Sequence, residues 1–125
     1  MLTTAELVER YINLNNDNDV EGVLECCADD ILFESVMNPN NSVRLTGKQA
    51  VREILAGTME AFSERSHRIS SLIVDGDRAA AETLFIGTAA AELGDGVGPG
   101  DEVSIRGATI FDTRDGKIVR ICDYS

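Results

Sequence analysis

Three side chains in this sequence suit proton transfer under mild conditions: Tyr11, His67 and Asp123. His67 is the only histidine, and an ordinary imidazole titrates near the pH at which proton shuttling is easiest. Asp123 alternates with Ile121 along Lys117 to Tyr124, which places the two on one face of a strand. Between apolar walls an aspartate has its charged form disfavoured, so its pKa rises and it becomes a usable general acid or base. Tyr11 falls in an amphipathic stretch, and a tyrosine hydroxyl in a dry pocket can donate to a developing enolate. Each residue also has a plainer reading: a core tyrosine satisfied locally, a surface aspartate, a solvated strand-edge histidine.

Other chemistry-bearing patterns lead nowhere. Cys26, Cys27 and Cys122 are odd in number and two are adjacent, which argues against a disulfide framework, and no metal-type Cys/His spacing exists. They read as small buried side chains in a reducing cytosol. The glycine run from Gly94 to Gly100 lacks the lysine and strand-to-helix context of a phosphate loop, and reads as a flexible hairpin or pocket lip.

The elements that must position these groups follow from periodicity. Leu7, Val8, Tyr11, Ile12 and Leu14 form a helical stripe over Thr3 to Asn16, and Thr3 with Glu6 has capping-box spacing. Asp19 caps a second short helix carrying Val20, Val23, Leu24 and Cys27, which Asp29-Asp30 ends. Ile31 to Glu34 begins a short strand, and the Asn-Pro-Asn-Asn stretch within Met37 to Val43 reads as a loop. Thr46 with Gln49 repeats the capping spacing ahead of a third helix, with Val51, Ile54, Leu55, Met59 and Phe62 on one face. Arg68 to Val74, Arg78 to Thr88, Glu102 to Asp112 and Lys117 to Tyr124 read as strands, with turns at Asp75-Gly76 and Asp115-Gly116.

A chain of 125 residues suits one domain, residues 1–125, with a core that needs no staples. Apolar residues make up 43%, so the chain is globular, while aromatics make up only 5%, so a cavity is expected to be lined mainly by aliphatic groups. The net charge of −11, without a basic run, excludes nucleic acid and anionic membranes as partners. No signal-peptide pattern or long apolar run occurs, so a soluble cytoplasmic protein is expected. Helices followed by consecutive strands imply α+β architecture, with a pocket between a curved sheet and three N-terminal helices.

Four segments give the sequence a specific likeness. They are Glu9-Arg10-Tyr11 through Asn15 to Ala28-Asp29-Asp30; Leu45-Thr46-Gly47-Lys48-Gln49-Ala50-Val51; Val74-Asp75-Gly76-Asp77-Arg78-Ala79 with Gly87-Thr88; and Ile110-Phe111 through Asp115-Gly116-Lys117-Ile118 to Asp123-Tyr124. In this order they resemble the SnoaL-like and ketosteroid isomerase-like superfamily, with the nuclear transport factor 2-like cone fold. The resemblance implies a cone-shaped α+β barrel of mainly antiparallel strands, no cofactor, no metal and a homodimer formed through the outer sheet face. Glu82 is expected to face away from the pocket, toward that surface.

The resemblance also assigns positions. Tyr11 matches the oxyanion-donor tyrosine of the steroid isomerases. Their catalytic base aligns with Ser35, which cannot serve as one at neutral pH, and Glu34 would replace it only in a shifted register. Their second oxyanion donor aligns with Ala108. Asp123-Tyr124 matches the ending of limonene epoxide hydrolases, but Thr83 and Phe85 stand where their other two acting residues belong. Asp123 also matches the pocket aspartate of SnoaL-like cyclases, and His67 lies near a working histidine of related dehydratases. Pocket walls are expected from Phe33, Ser35, Phe62, Thr83, Phe85, Ile110 and Ile121. Two functions stay open: a cofactor-independent acid/base enzyme (isomerase, cyclase or dehydratase) on a small apolar carbonyl or polycyclic substrate, or a non-catalytic ligand-binding or dimerisation module.

Overall fold

The protein is described here by a computed structural model covering residues 1–37 and 41–124. Its elements run α1 (Thr4–Asn16), α2 (Val20–Glu25), β1 (Cys27–Met37), β2 (Asn41–Thr46), α3 (Lys48–Ala61), β3 (Phe62–Asp75), β4 (Arg78–Ala89), β5 (Glu102–Arg114) and β6 (Lys117–Tyr124). The six strands form one sheet in the order β2-β1-β6-β5-β4-β3. All neighbours are antiparallel except β1 and β6, which run parallel. Bulges in β1, β3 and the β5–β6 pair interrupt the ladders and bend the strands, as extra unpaired residues do. The sheet stays open at β2 and β3, and the three helices pack on one face to give the cone-like α+β fold.

Local chemistry sets the helix starts. Thr3 caps α1 as expected: its Oγ1 accepts from the Glu6 N–H at 3.2 Å, and its own N–H donates to Glu6 Oε1 at 3.0 Å. Asp19 Oδ1 accepts from the Gly22 N–H at 3.0 Å to start α2. The expectation for α3 is corrected, because Thr46 ends β2 and Gly47, at φ 93°, occupies the cap without a side-chain bond. That left-handed backbone suits glycine and turns the chain from strand to helix.

Three boundaries differ from the sequence reading. Asp29 and Asp30 lie inside β1, since α2 stops at Glu25. Asn41 to Val43 belong to β2 rather than a loop, and the rest of the Asn-Pro-Asn-Asn stretch lies outside the described residues. Phe62 has extended backbone and opens β3 instead of closing a helical face. Its ring lies over Gly87, where a Cβ would meet Phe62 Cδ1 at 2.7 Å.

The core sits between the helices and the inner face of the sheet. Leu7, Val8 and Tyr11 of α1, Val23 and Leu24 of α2, and Val51 and Leu55 of α3 bury against Ile31, Phe33, Phe111, Ile118 and Ile121. Phe111, Ile31 and Ile118 are completely inaccessible to solvent. The three cysteines are buried and free, and burial pushes the Cys27 thiol up to about 12, so it stays protonated and unreactive.

Candidate functional site

Strand register stacks the inner face of the sheet into rungs. One rung crosses it as Phe33, Ile121, Phe111 and Ala79, all buried and apolar. Two residues further along each strand, the next rung reads Ser35, Asp123, Thr109 and Ala81. Beyond it come Gly107 with Thr83 and Ile69, then Ile105 with Phe85 and His67. Polar side chains therefore begin one step past the packed core.

These rungs line an open-mouthed cavity of about 170 Å³, walled by Ser35, His67, Thr83, Ile105, Gly107, Thr109, Asp123 and Tyr124. Its lining is mixed: Ile105 is the one aliphatic side chain among hydroxyls, a carboxyl and an imidazole. A larger depression of about 410 Å³ lies between α1 and the free edge of β3, and His67 lines it as well. There Asn16 pairs with both backbone groups of His67 at 2.7 Å, as a neighbouring strand would. The smaller cavity brings His67, Asp123 and Tyr124 together.

Asp123 is held by one short bond: Thr109 Oγ1 donates to its Oδ1 at 2.6 Å. Burial raises the carboxyl above the ordinary aspartate value, and the Thr109 bond opposes that rise. His67 faces it from β3, packed edge-on against Phe85 with ring centres 5.4 Å apart. Burial, and then the Arg65 charge, lower the imidazole from its ordinary value of 6.5. The environment thus drives the two groups toward each other in pKa, favouring neutral imidazole and a more basic carboxylate.

Arg65 is fixed by α1. Its guanidinium donates to Asn15 Oδ1 at 2.5 Å, to the Asn15 carbonyl at 2.8 Å and to Asn18 Oδ1 at 2.9 Å, meeting the negative end of the helix. Its Nε is buried without a partner among the described residues. The sequence reading missed Arg65, Asn15 and Thr109. Alternation with His67 could have marked Arg65, since both face inward on β3.

The family model for the SnoaL-like domain matches residues 8–121. The chain belongs to the SnoaL-like family. No curated protein matches its sequence. Among solved structures, a protein of Pseudomonas putida assigned as a polyketide cyclase shares 23% identity at a TM-score of 0.80, covering 100% of this chain and 92% of that one. A protein of ketosteroid isomerase-like fold from Catenulispora acidiphila, in complex with trimethylamine, shares 18% at 0.81, covering 98% and 87%. An epoxide hydrolase from M. tuberculosis shares 18% at 0.74, covering 97% and 80%. At these identities the likeness establishes the fold alone.

In this SnoaL-like chain the expected site residues separate into groups. Asp123, His67, Ser35 and Thr83 line the cavity together. Tyr11 is buried behind it, edge-on to Phe111 at 5.7 Å, in the field of Asp123 and beside Asn15; burial raises its phenol strongly. Phe33 and Ile121 belong to the apolar rung. Phe62 and Phe85 pack edge-to-face at 4.9 Å beside His67. Ile110 is a correction: it pairs with Cys122 and Ala80, lines a shallow hollow with Ile73 and Arg78, and faces away from the cavity. Ala108 turns outward with it, so the inward residue of β5 is Thr109. Ser35 points in, while Glu34 points out and bonds Arg120 at 3.2 Å.

Proposed function

We propose that this SnoaL-like chain is a cofactor-independent acid/base enzyme acting on a small carbonyl compound in the cone cavity. The observation that carries the reading is Asp123, a half-buried carboxyl in the cavity, fixed by Thr109 on one wall with His67 on the other. Asp123 takes a proton from the carbon next to the carbonyl. The carbonyl oxygen gains charge and accepts from an N–H of neutral His67, a donor suited to an enolate because it does not protonate it outright. Asp123 then returns the proton at the same or a neighbouring carbon. Proton transfer of this kind contributes about 10²–10⁴-fold to rate.

Size narrows the substrate. A cavity near 170 Å³ is close to the roughly 150 Å³ that holds one benzene, so a single ring or short chain fits and a polycyclic body would project through the mouth. The neighbours assigned to polyketide cyclisation and epoxide hydrolysis support an enzymatic use of this scaffold. A non-catalytic binding module is the second reading, favoured by Ser35 where the isomerases keep a base. A cytoplasmic homodimer using the outer sheet face, which exposes Ile73 and Ile86, completes the proposal. Sedimentation as a monomer at micromolar concentration would remove that last part.

The test of catalysis is exchange. Small cyclic ketones incubated with the protein in D₂O are expected to lose their α-proton signals, and Asp123→Asn is expected to slow this at least about 10²-fold. Exchange that persists unchanged in Asp123→Asn contradicts the assignment.

A further inference from the structure

The cavity holds polar groups that the protein leaves unmatched on both walls. Among the described residues, the Ser35 and Thr83 hydroxyls and the His67 ring make no hydrogen bond, and His67 bonds only through its backbone. Asp123 receives its bond at Oδ1, leaving Oδ2 unpaired. Ser35 and Asp123 share one rung on β1 and β6, while Thr83 and His67 come from β4 and β3. Apolar surface between them comes from Ile105 and the threonine methyls.

The charge in the lining is of one sign. Asp123 is the one carboxyl of the lining, and no lysine or arginine lines the cavity. Arg65, whose charge reaches His67, spends its terminal nitrogens on Asn15 and Asn18. An anionic ligand would meet the Asp123 charge at low dielectric and find no cation to offset it. A hydrocarbon of the same shape would leave several buried polar groups unmet, which disfavours binding.

We infer that the cavity selects an uncharged, single-ring-sized molecule bearing oxygen functions at two ends, a hydroxyl toward Asp123 and Ser35 and a carbonyl toward Thr83 and His67, and refuses carboxylates of equal size. The inference rests on the cavity of the proposed function but not on turnover. The ligand hydroxyl donates to Asp123, and its carbonyl accepts from Thr83 Oγ1 or an imidazole N–H. Sites built to bond a hydroxyl reject analogues lacking it far more strongly than apolar pockets reject a missing methylene.

The test uses the full chain and three probes: 3-hydroxycyclohexanone, cyclohexanone and cyclohexanecarboxylate. The readout is the ring-proton shift of His67, which is unambiguous because the chain has one histidine. At about pH 8, where the carboxyl is ionised, the hydroxyketone is expected to bind at least ~10-fold more tightly than cyclohexanone. The carboxylate should not bind. In Asp123→Asn the carboxylate should gain affinity and the hydroxyketone lose it; Thr83→Val should weaken both ketones. Wild-type affinity for the carboxylate equal to that for the hydroxyketone overturns the inference, as does the absence of any His67 shift with all three. Hydroxyketone binding without deuterium exchange would sink the catalytic reading while leaving this one standing.

Discussion

Two neighbouring rungs of one sheet face divide the molecule's labour. Phe33, Ile121, Phe111 and Ala79 are 7%, 1%, 0% and 3% exposed. Ser35, Asp123, Thr109 and Ala81 sit two residues further along the same strands, and there all but Ala81 carry a hydroxyl or a carboxyl and line a cavity. Backbone geometry is shared, so the difference is chemical. The first rung has helices pressed on it and lowers the free energy of the fold. The second carries a carboxyl whose burial favours its neutral form, a feature that costs stability at neutral pH and suits it to proton transfer.

The sharpest way to break the comparison is to cut each rung. Phe111→Ala is expected to destabilise by about 3–5 kcal/mol in urea unfolding, because it removes a fully buried ring from a packed core. A loss below about 1 kcal/mol would mean that the apolar rung is not where stability resides. Asp123→Asn is expected to do the reverse, slowing exchange at least about 10²-fold while holding or raising Tm at neutral pH. The sign follows from linkage. A folded-state pKa raised above 3.8 gives stability that is present below that value and lost as pH rises through the folded one. The Tm advantage of the Asn variant should therefore grow as pH increases, and a constant difference would contradict the raised carboxyl.

Smaller effects sharpen the electrostatics. His67 is lowered from 6.5, so charging it opposes folding and the protein should lose stability as pH falls below that value. Arg65→Met removes the nearby positive charge, and the NMR titration midpoint of His67 should rise; an unmoved midpoint would mean that burial alone sets it. Thr109→Val should be the mildest change, costing about 1 kcal/mol for the lost hydrogen bond and moving the Asp123 midpoint further up.

Much of this was legible in the residues. Alternation placed Ile121 and Asp123 together, and the α1 stripe and its Thr3 cap needed no tertiary information. The register of β5 was not legible, because both of its faces carry apolar residues. Val103, Ile105 and Phe111 alternate against Ala108 and Ile110, and the glycine-rich connection before them fixes no phase. A one-residue slip exchanges the faces of a strand, which hid Thr109 and turned Ile110 inward. β2 was obscured because Asn-Pro-Asn-Asn has loop composition, although Asn41 and Ser42 pair with Met37 and Val36. The polar lining was missed because composition counts a whole chain, while a cavity samples a few inward positions.

The environment of the Asp123 carboxyl is read directly by a pH titration of its side-chain carbon by ¹³C NMR. The expected midpoint lies clearly above 3.8 and rises further in Thr109→Val. A midpoint at or below that value, unmoved by the threonine substitution, would show Asp123 to be an ordinary solvated aspartate with no part in proton transfer.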